Sequence, residues 1–443
     1  MTAERPAVDE RLTLTELEDA WSLLPAEERA DALKELPQAE AQDFFFGLPS
    51  HEQADVVLAF PPEERRTWMR ILPPDDAADV VQAAPHDERE GLLAALDDQT
   101  RKEVQALLAY AEDAAGGLMN PRYARLRPDM TVDEAISYLR RQARESPESF
   151  FYVYVLDDQQ RLLGVVSFRE LFSANADARV RDIMHTHLVT VTESMDQEMV
   201  SHEFQEHRFT ALPVVDSDGR MKGIITADDI ADVEREEATE DIQKLGGMQA
   251  LEEPYMDVGF FAMIQKRAVW LAVLFLGEML TATAMGYFED EIQRAVVLAL
   301  FIPLIISSGG NSGSQATTLV IRAMALGEVG LRDWWRVVRR ELLAGAVLGG
   351  ILGTIGFLRV FLWQQVRPTY GPHYMLIAAT VFGSLIGVVM FGTFCGSLLP
   401  FLLRRLGLDP ASASAPFVAT LVDVTGLVIY FTVASLLLKG ALL

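Results

Sequence analysis

Cysteine is almost absent: Cys395 is the single one in 443 residues. A lone thiol excludes an intramolecular disulfide and a multi-cysteine zinc site. Its neighbours Thr393, Phe394 and Gly396 read as the surroundings of a packed side chain. Positive charge is scarce where it would matter for nucleic acid. Residues 1–257 carry 25 Lys and Arg against 55 Asp and Glu, a balance of −30. Such a segment repels nucleic acid and anionic lipid and suits cationic partners. Solubility, or a high-salt habitat, explains the composition equally well. No Gly-x-x-x-x-Gly-Lys phosphate loop is present, so ATP hydrolysis is not expected and the chain reads as a non-enzyme. No apolar stretch opens the chain, so the first part is expected to remain cytoplasmic.

Long apolar runs are also absent until about Arg267, and then they dominate. Residues 258–443 carry 13 basic and 9 acidic residues, and the mean hydropathy of the whole chain is +0.15. Five stretches can each cross about 30 Å of hydrocarbon. They are Ala268–Phe288, Ile292–Ala325 with a glycine-rich interruption, Glu341–Trp363, Met375–Leu403 and Pro416–Leu442. Basic loops (Arg322, Arg332, Arg336, Arg339 and Arg340, then Arg404 and Arg405) alternate with poor ones (Glu289-Asp290-Glu291, then Arg367 alone). By the positive-inside rule the N-terminal part is cytoplasmic and the C-terminus outside.

The polar half has two textures. Over residues 11–118, Leu-Pro or Pro-Pro recurs about every 12 residues, at Pro25, Pro37, Pro49, Pro61–Pro62 and Pro73–Pro74. Each is followed by an acid placed to cap the next helix, the pattern of a small helical solenoid. Over residues 119–245, Phe151–Leu171 aligns with Thr210–Ile230 at an offset of 59. Asp157, Arg161, Gly164, Ser167 and Leu171 fall on Asp216, Arg220, Gly223, Thr226 and Ile230. Each copy reads strand, turn, strand, helix cap, led in by Met119-Asn120-Pro121 or Met184-His185. This resembles a tandem cystathionine-β-synthase-type (CBS) domain pair, a module that often binds adenine nucleotides. A charged helical segment, 228–257, then leads to the first span.

Asp423 carries the most chemistry. It lies within an apolar span, where a charge costs about 2.5–3.5 kcal/mol on insertion scales. Apart from Arg294, Arg322 and Lys439, each within three residues of a span end, the basic residue that the spans hold is Arg359, near the end of its own. A cation is therefore favoured over a buried arginine as the partner of Asp423. Glu278, the other intramembrane acid, reads equally as a second ion contact or as a protonated interhelical hydrogen-bonder. Ser307–Gln315 has three glycines and six polar side chains, which suits a water-lined break whose carbonyls meet a cation; close packing through small residues is the competing reading. Magnesium prefers six oxygens and keeps its waters, and one carboxylate per chain doubled across a two-fold axis suits it. No histidine lies in the spans, His373 being in an outer loop, so a soft metal is disfavoured.

Four strings occur in order with this architecture: Ala115-Gly116-Gly117-Leu118-Met119, Glu237-Ala238-Thr239-Glu240-Asp241-Ile242, Gly309-Gly310-Asn311-Ser312-Gly313-Ser314-Gln315 and Asp423-Val424-Thr425-Gly426. Together they resemble the MgtE family of magnesium channels over nearly the whole chain. The resemblance implies a multi-domain membrane protein. It has an all-α superhelical N-terminal domain (1–118), an α/β CBS pair (119–182 and 183–245), an acidic connecting or plug helix (246–266) and a five-helix transmembrane domain (267–443). It implies a homodimer in the cell membrane, in contact with lipid, with the pore on the two-fold axis. Asp423 would hold hydrated magnesium, with Thr425, Gly426, Gly309, Gly310, Asn311, Gln315 and Pro416 around the pore. Regulatory magnesium would bridge Asp76, Asp79, Asp196, Glu198, Asp229, Asp232, Glu240, Asp241 and Asp409. ATP would bind the CBS pair at Tyr152, Arg169, Glu170 and Phe209, Glu170 standing where the pattern has Asp. Ala415, Ser314 and Arg208 depart from it: the first two positions are often Asn, and the third is acidic. The function implied is magnesium uptake closed by cytoplasmic magnesium. The alternatives are a magnesium/sodium or magnesium/proton exchanger with Glu278 as coupling acid, a broader channel admitting manganese or cobalt, and a non-transporting sensor.

Overall fold

The computed structural model describes residues 14–145, 152–251, 255–256 and 258–440. Phe151, the first residue of the aligned repeat, and Leu442, the expected end of the last span, lie outside them. The chain divides into two compact units, Met1–Glu236 and Glu237–Leu443.

The first unit opens as a helical solenoid. Pro25, Pro37, Pro49, Pro61 and Pro73 each stand immediately before a helix, with φ between −55° and −67°. Proline pre-sets that angle and has no N–H to leave unpaired. The acids were expected to cap these helices, but none of the five has a side-chain cap. Because the proline itself is the cap residue, Glu27, Glu40, Glu52, Glu63 and Asp75 fall in the first turn. There they face the positive end of the helix dipole. The opposite ends are closed from outside. Arg65 donates to the carbonyls of Phe60 (2.8 Å) and Leu58 (2.5 Å), and Arg89 to those of Ala84 (3.0 Å) and Gln82 (2.5 Å). Arg101 does the same at Leu93 and Leu96. An arginine from one helix thus satisfies the last carbonyls of the helix before it. Alternate helices stack: Ala26–Glu35 on Ser50–Ala59, on Pro74–Ala83, on Asp98–Leu107.

The repeat forms two three-stranded sheets. One is β1 (Arg125–Leu126), β2 (Tyr152–Leu156) and β3 (Leu162–Ser167); the other is β4 (Val191–Thr192), β5 (Ala211–Val215) and β6 (Met221–Thr226). In each, a short parallel strand precedes an antiparallel hairpin. Gly164 pairs with Val155 and Gly223 with Val214, the same 59-residue step. The lead-in segments are exchanged: His185 bridges to Val165 of the first copy, and Asn120 to Ile224 of the second. Both crossings need glycine. A Cβ on Gly223 would stand 2.6 Å from the Asn120 carbonyl oxygen, and one on Gly164 2.9 Å from that of His185.

The acidic helix runs Ala227–Leu245, so among the described residues the connecting helix expected at 246–266 is not a separate element. Gly246 and Gly247, the latter at φ 74°, end it as a left-handed C-terminal turn. Helix resumes at Phe260, as the first span itself.

Among the described residues, five helices in the second unit are long and apolar enough to cross a membrane. They are Phe260–Tyr287, Val296–Ala325, Leu331–Val366, Tyr374–Arg405 and Ala415–Leu438. The first and third start earlier than expected, because their amphipathic openings (Gln265-Lys266-Arg267, Trp334–Arg340) continue the helix. The glycine-rich interruption of the second span is not a break: Ile302–Ala325 is continuous α-helix through Ser307–Gln315. Glycine in a helix costs about 1 kcal/mol against alanine, and here close packing offsets it. A Cβ on Gly309 would stand 2.5 Å from Val388 Cγ1, and one on Gly313 2.9 Å from the Gly392 carbonyl oxygen. Gly345, Gly349 and Gly353 make the same approach from the third span to the fourth.

Arg65→Ala should cost about 1–3 kcal/mol, because two helix-end carbonyls lose a charged donor. Urea unfolding of the first unit followed by helical circular dichroism reads this; an unchanged midpoint would mean water replaces the guanidinium freely.

Candidate functional site: a carboxylate-lined cavity among the spans

A cavity of about 360 Å³ lies between the first, second and fifth spans. Glu278 and Thr281, then Pro303, Ile306, Ser307, Gly310, Asn311 and Ser314, then Ala419 and Asp423 line it. A water needs about 10–15 Å³ of such space, so an ion with its water shell fits. Half-buried Asp423 is set two turns into Ala415–Leu438, a helix opened by the Ser414 hydroxyl, which accepts from the Phe417 N–H at 3.4 Å. No lysine, arginine or histidine lines the space. Arg359 sits 4.1 Å over the Trp363 ring instead.

The second span is two-sided. Its buried face carries Gly309, Gly313, Ala316 and Thr317; its open side carries Ser307, Asn311, Gln315 and Thr318, spaced by helical turns. So the candidates separate. Asp423, Asn311 and Gly310 line the cavity. Gly309 and Gly426 pack against Val388. The Thr425 hydroxyl donates to the Leu421 carbonyl at 2.6 Å, Pro416 opens its helix, and Gln315 is exposed. The carbonyls expected to face an ion are taken up by the continuous helix. Sequence reasoning includes Ser307 and Ser314 only as parts of a break, and it misses Thr281. Reading 307–315 as helix would have put Ser307, Asn311 and Ser314 on one side. The two departures, Ser314 and Ala415, meet: the serine hydroxyl donates to the Ala415 carbonyl at 3.2 Å.

In the first unit, Pro74–Ala83 and the start of the acidic helix bring Asp76, Asp79, Asp229 and Asp232 near one another. Burial, then Asp228 and Asp232, pushes Asp76 up to about 6. Burial raises Asp229 to about 7 despite the Thr226 N–H it accepts at 2.7 Å, and Asp228 adds to the rise. Asp79 is pushed well above the usual range by burial, Asp76, Asp229 and Glu236. Buried Asp75, which sequence reasoning missed, accepts from the Asn120 amide at 3.1 Å. Asp196 is the N-cap of Gln197–His207, accepting from the Glu198 N–H at 3.0 Å. Arg208 closes that helix with φ 53°, as a left-handed C-cap. Among the described residues, no three His, Cys, Asp or Glu side chains converge on a metal position.

In the second unit, Glu240 and Asp409 meet an ammonium. Lys244 Nζ lies 2.6 Å from Asp409 and pairs with Glu240 as well. Burial alone would lower the Lys244 pKa, but hydrogen bonds to Asp409 and Glu240 raise it above the ordinary range. Asp241 is pushed up to about 6 by burial, Asp409 and Glu237.

The expected nucleotide contacts are in the CBS pair. Tyr152 starts β2, and Arg169 and Glu170 lie in Phe168–Ser173. Phe209 stacks on His207, ring centroids 5.3 Å apart. Glu170 is already engaged: it forms a capping box with Ser167 and lies against His185. His185, then the Ser167 donors, hold its carboxyl down to about 2, against the burial that opposes them. Asp229 occupies the equivalent place in the second copy and accepts from Thr226 as Glu170 does from Ser167, but burial shifts it the other way.

Three family models match: "Divalent cation transporter" (MgtE) over residues 302–433, "MgtE intracellular N domain" over 12–113, and "CBS domain" over 115–177 and 180–236. The magnesium transporter MgtE of Thermus thermophilus is 44% identical over 345 residues, 78% of this chain and 74% of the relative. That of Enterococcus faecalis is 33% identical over 338 residues, 76% and 72% of the two chains. A solved cytosolic domain of the Mg2+ channel MgtE in complex with ATP is 40% identical, with TM-score 0.47; the match covers 51% of this chain and 91% of that one.

Asp76 and Asp229 bind protons more tightly folded than unfolded. Between about pH 4 and pH 7 the folded state therefore holds more protons, and stability falls as pH rises. With chelator present, the melting temperature of the first unit should drop from about pH 5 to about pH 7, and Asp76→Asn should flatten that slope. An equal slope in the variant would remove Asp76 as its source.

Proposed function

The chain belongs to the MgtE family of divalent cation transporters, and from this we propose that it is a dimeric, magnesium-gated magnesium channel of the cell membrane. Its N-terminal unit would lie in the cytoplasm, as the alternation of basic loops supports. The observation that carries the reading is the cavity that Asp423 lines together with Asn311, Ser307 and Ser314, with no basic side chain among its lining residues. An ionised carboxylate at membrane depth without a protein counter-charge is stabilised by a cation. Oxygen donors and space for retained water favour magnesium. A second copy of Asp423 across a two-fold axis would complete the site. Influx needs no hydrolysis, since two charges crossing 100 mV release about 4.6 kcal/mol.

Regulation follows from the acids. Asp76, Asp79, Asp229 and Asp232 repel when bare, and this adds to the burial that raises the pKa values of the first three. Divalent ions bridging them, through retained water, would relieve it and tighten the unit. The Glu240–Asp409 contact has its own cation, Lys244, and so would hold without magnesium. ATP would enter the CBS pair at Tyr152, Arg169 and Phe209. A ribose hydroxyl would there compete with His185 for Glu170.

Asp423→Asn in liposomes should cut magnesium flux about tenfold to a hundredfold, the equivalent of about 1.5–3 kcal/mol for one charged ligand. Wild-type flux in that variant would remove Asp423 from the pathway. Flux that follows a sodium or proton gradient would favour the exchanger. Millimolar magnesium should slow proteolysis of the residues before the first span. The same cleavage with chelator would argue against bridging.

A further inference from the structure

The first span touches the rest of its unit along one seam. Its half-buried positions from the third turn onward are Trp270, Leu274, Gly277, Thr281 and Ala284, with Phe288 just past its end, at steps of three and four. At Gly277 the first and fifth spans come close: a Cβ there would stand 2.8 Å from Thr420 Cγ2. Trp270 anchors one end, donating to the Ser414 hydroxyl at 3.3 Å, and Phe288 stacks on Phe431 at the other, with centroids 4.9 Å apart. Glu278 follows the close approach directly, so its side chain is held at the rim of the cavity that Asp423 lines. One turn on, the Thr281 hydroxyl is buried and has no hydrogen-bond partner, although it lines the same cavity.

We propose that Glu278 is a second cation-contacting carboxylate of this cavity, with the Thr281 hydroxyl beside it, and that it sets the preference for divalent over monovalent ions. The inference rests on the reading of Asp423 as the ion site and adds a residue from a different span. Two carboxylates facing one space raise the local negative charge, which favours a divalent ion more than a monovalent one. The lining residues include no basic group that could neutralise either acid. The Thr281 hydroxyl, buried beside Glu278 with no partner, is a polar atom of the lining that the ion's water shell would satisfy once the side chain turns toward it. Glu278 is exposed and lines the same cavity as Asp423, so an arriving ion would meet both.

The test is magnesium flux into liposomes by the full chain, with sodium and potassium as competitors, for the wild type, Glu278→Gln, Glu278→Asp and Asp423→Asn. Glu278→Gln should raise the half-saturating magnesium concentration about tenfold, equivalent to about 1.4 kcal/mol, and lower the preference over monovalent ions. Glu278→Asp should restore much of both, which a purely structural role would not require. Wild-type half-saturation and preference in Glu278→Gln, with flux lost in Asp423→Asn, would overturn this proposal and leave the Asp423 reading standing. Wild-type behaviour in Asp423→Asn would instead overturn the parent reading. Should Glu278→Gln not fold, Glu278→Cys gives a second measurement. Magnesium should slow its modification by a water-soluble thiol reagent, Cys395 being buried, and a rate indifferent to magnesium would overturn the proposal.

Discussion

A carboxylate at membrane depth constrains everything around it. Its charge cannot be solvated by hydrocarbon, so the chain must supply a polar space, keep basic side chains out of it and still satisfy every backbone group. The second span meets all three demands by remaining helical. Its glycines lie against the fourth and fifth spans, and Ser307, Asn311 and Ser314 line the same space as Asp423. A real break would have freed carbonyls; a helix with small residues on one side and polar ones on another opens the space without freeing any.

The first unit works with the same repulsion on a different scale. Asp76, Asp79 and Asp229 are partly removed from water and lie near one another, so each resists ionisation. Burial accounts for the largest share of each shift, and neighbouring acids add to it. The contrast with Glu170 is instructive, because that carboxylate holds the equivalent place in the first CBS copy and is pulled down by His185. The two carboxylates hold equivalent places, but His185 pulls one down whereas burial, the largest cause, pushes the other up.

Much of this was legible in the sequence. The 59-residue offset predicted two matching hairpins, since aspartate turns and glycine crossings recur at fixed places, and the register reproduces it. The five spans followed from apolar length. What failed had local physical causes. Glycine content suggested a break in Ser307–Gln315 because helix propensity carries no information about which neighbours approach. Acids after proline looked like caps, although proline already occupies the cap position. The connecting helix was expected too late, at 246–266, because charge pattern alone does not mark where Gly246 and Gly247 stop a helix. The part played by Lys244 depends on Asp409, in a loop far along the chain, which no short-range pattern contains.

The glycine seams also bear on how the membrane unit can deform. Where Gly313 meets Gly392 and Gly349 meets Ile386, backbone touches backbone, and no side chain lies between to repack. Glycine faces that fit this closely leave little room for the second, third and fourth spans to tilt against one another. Compliance is left to the first span, which is joined to the others along a single narrow seam and has no fully buried residue.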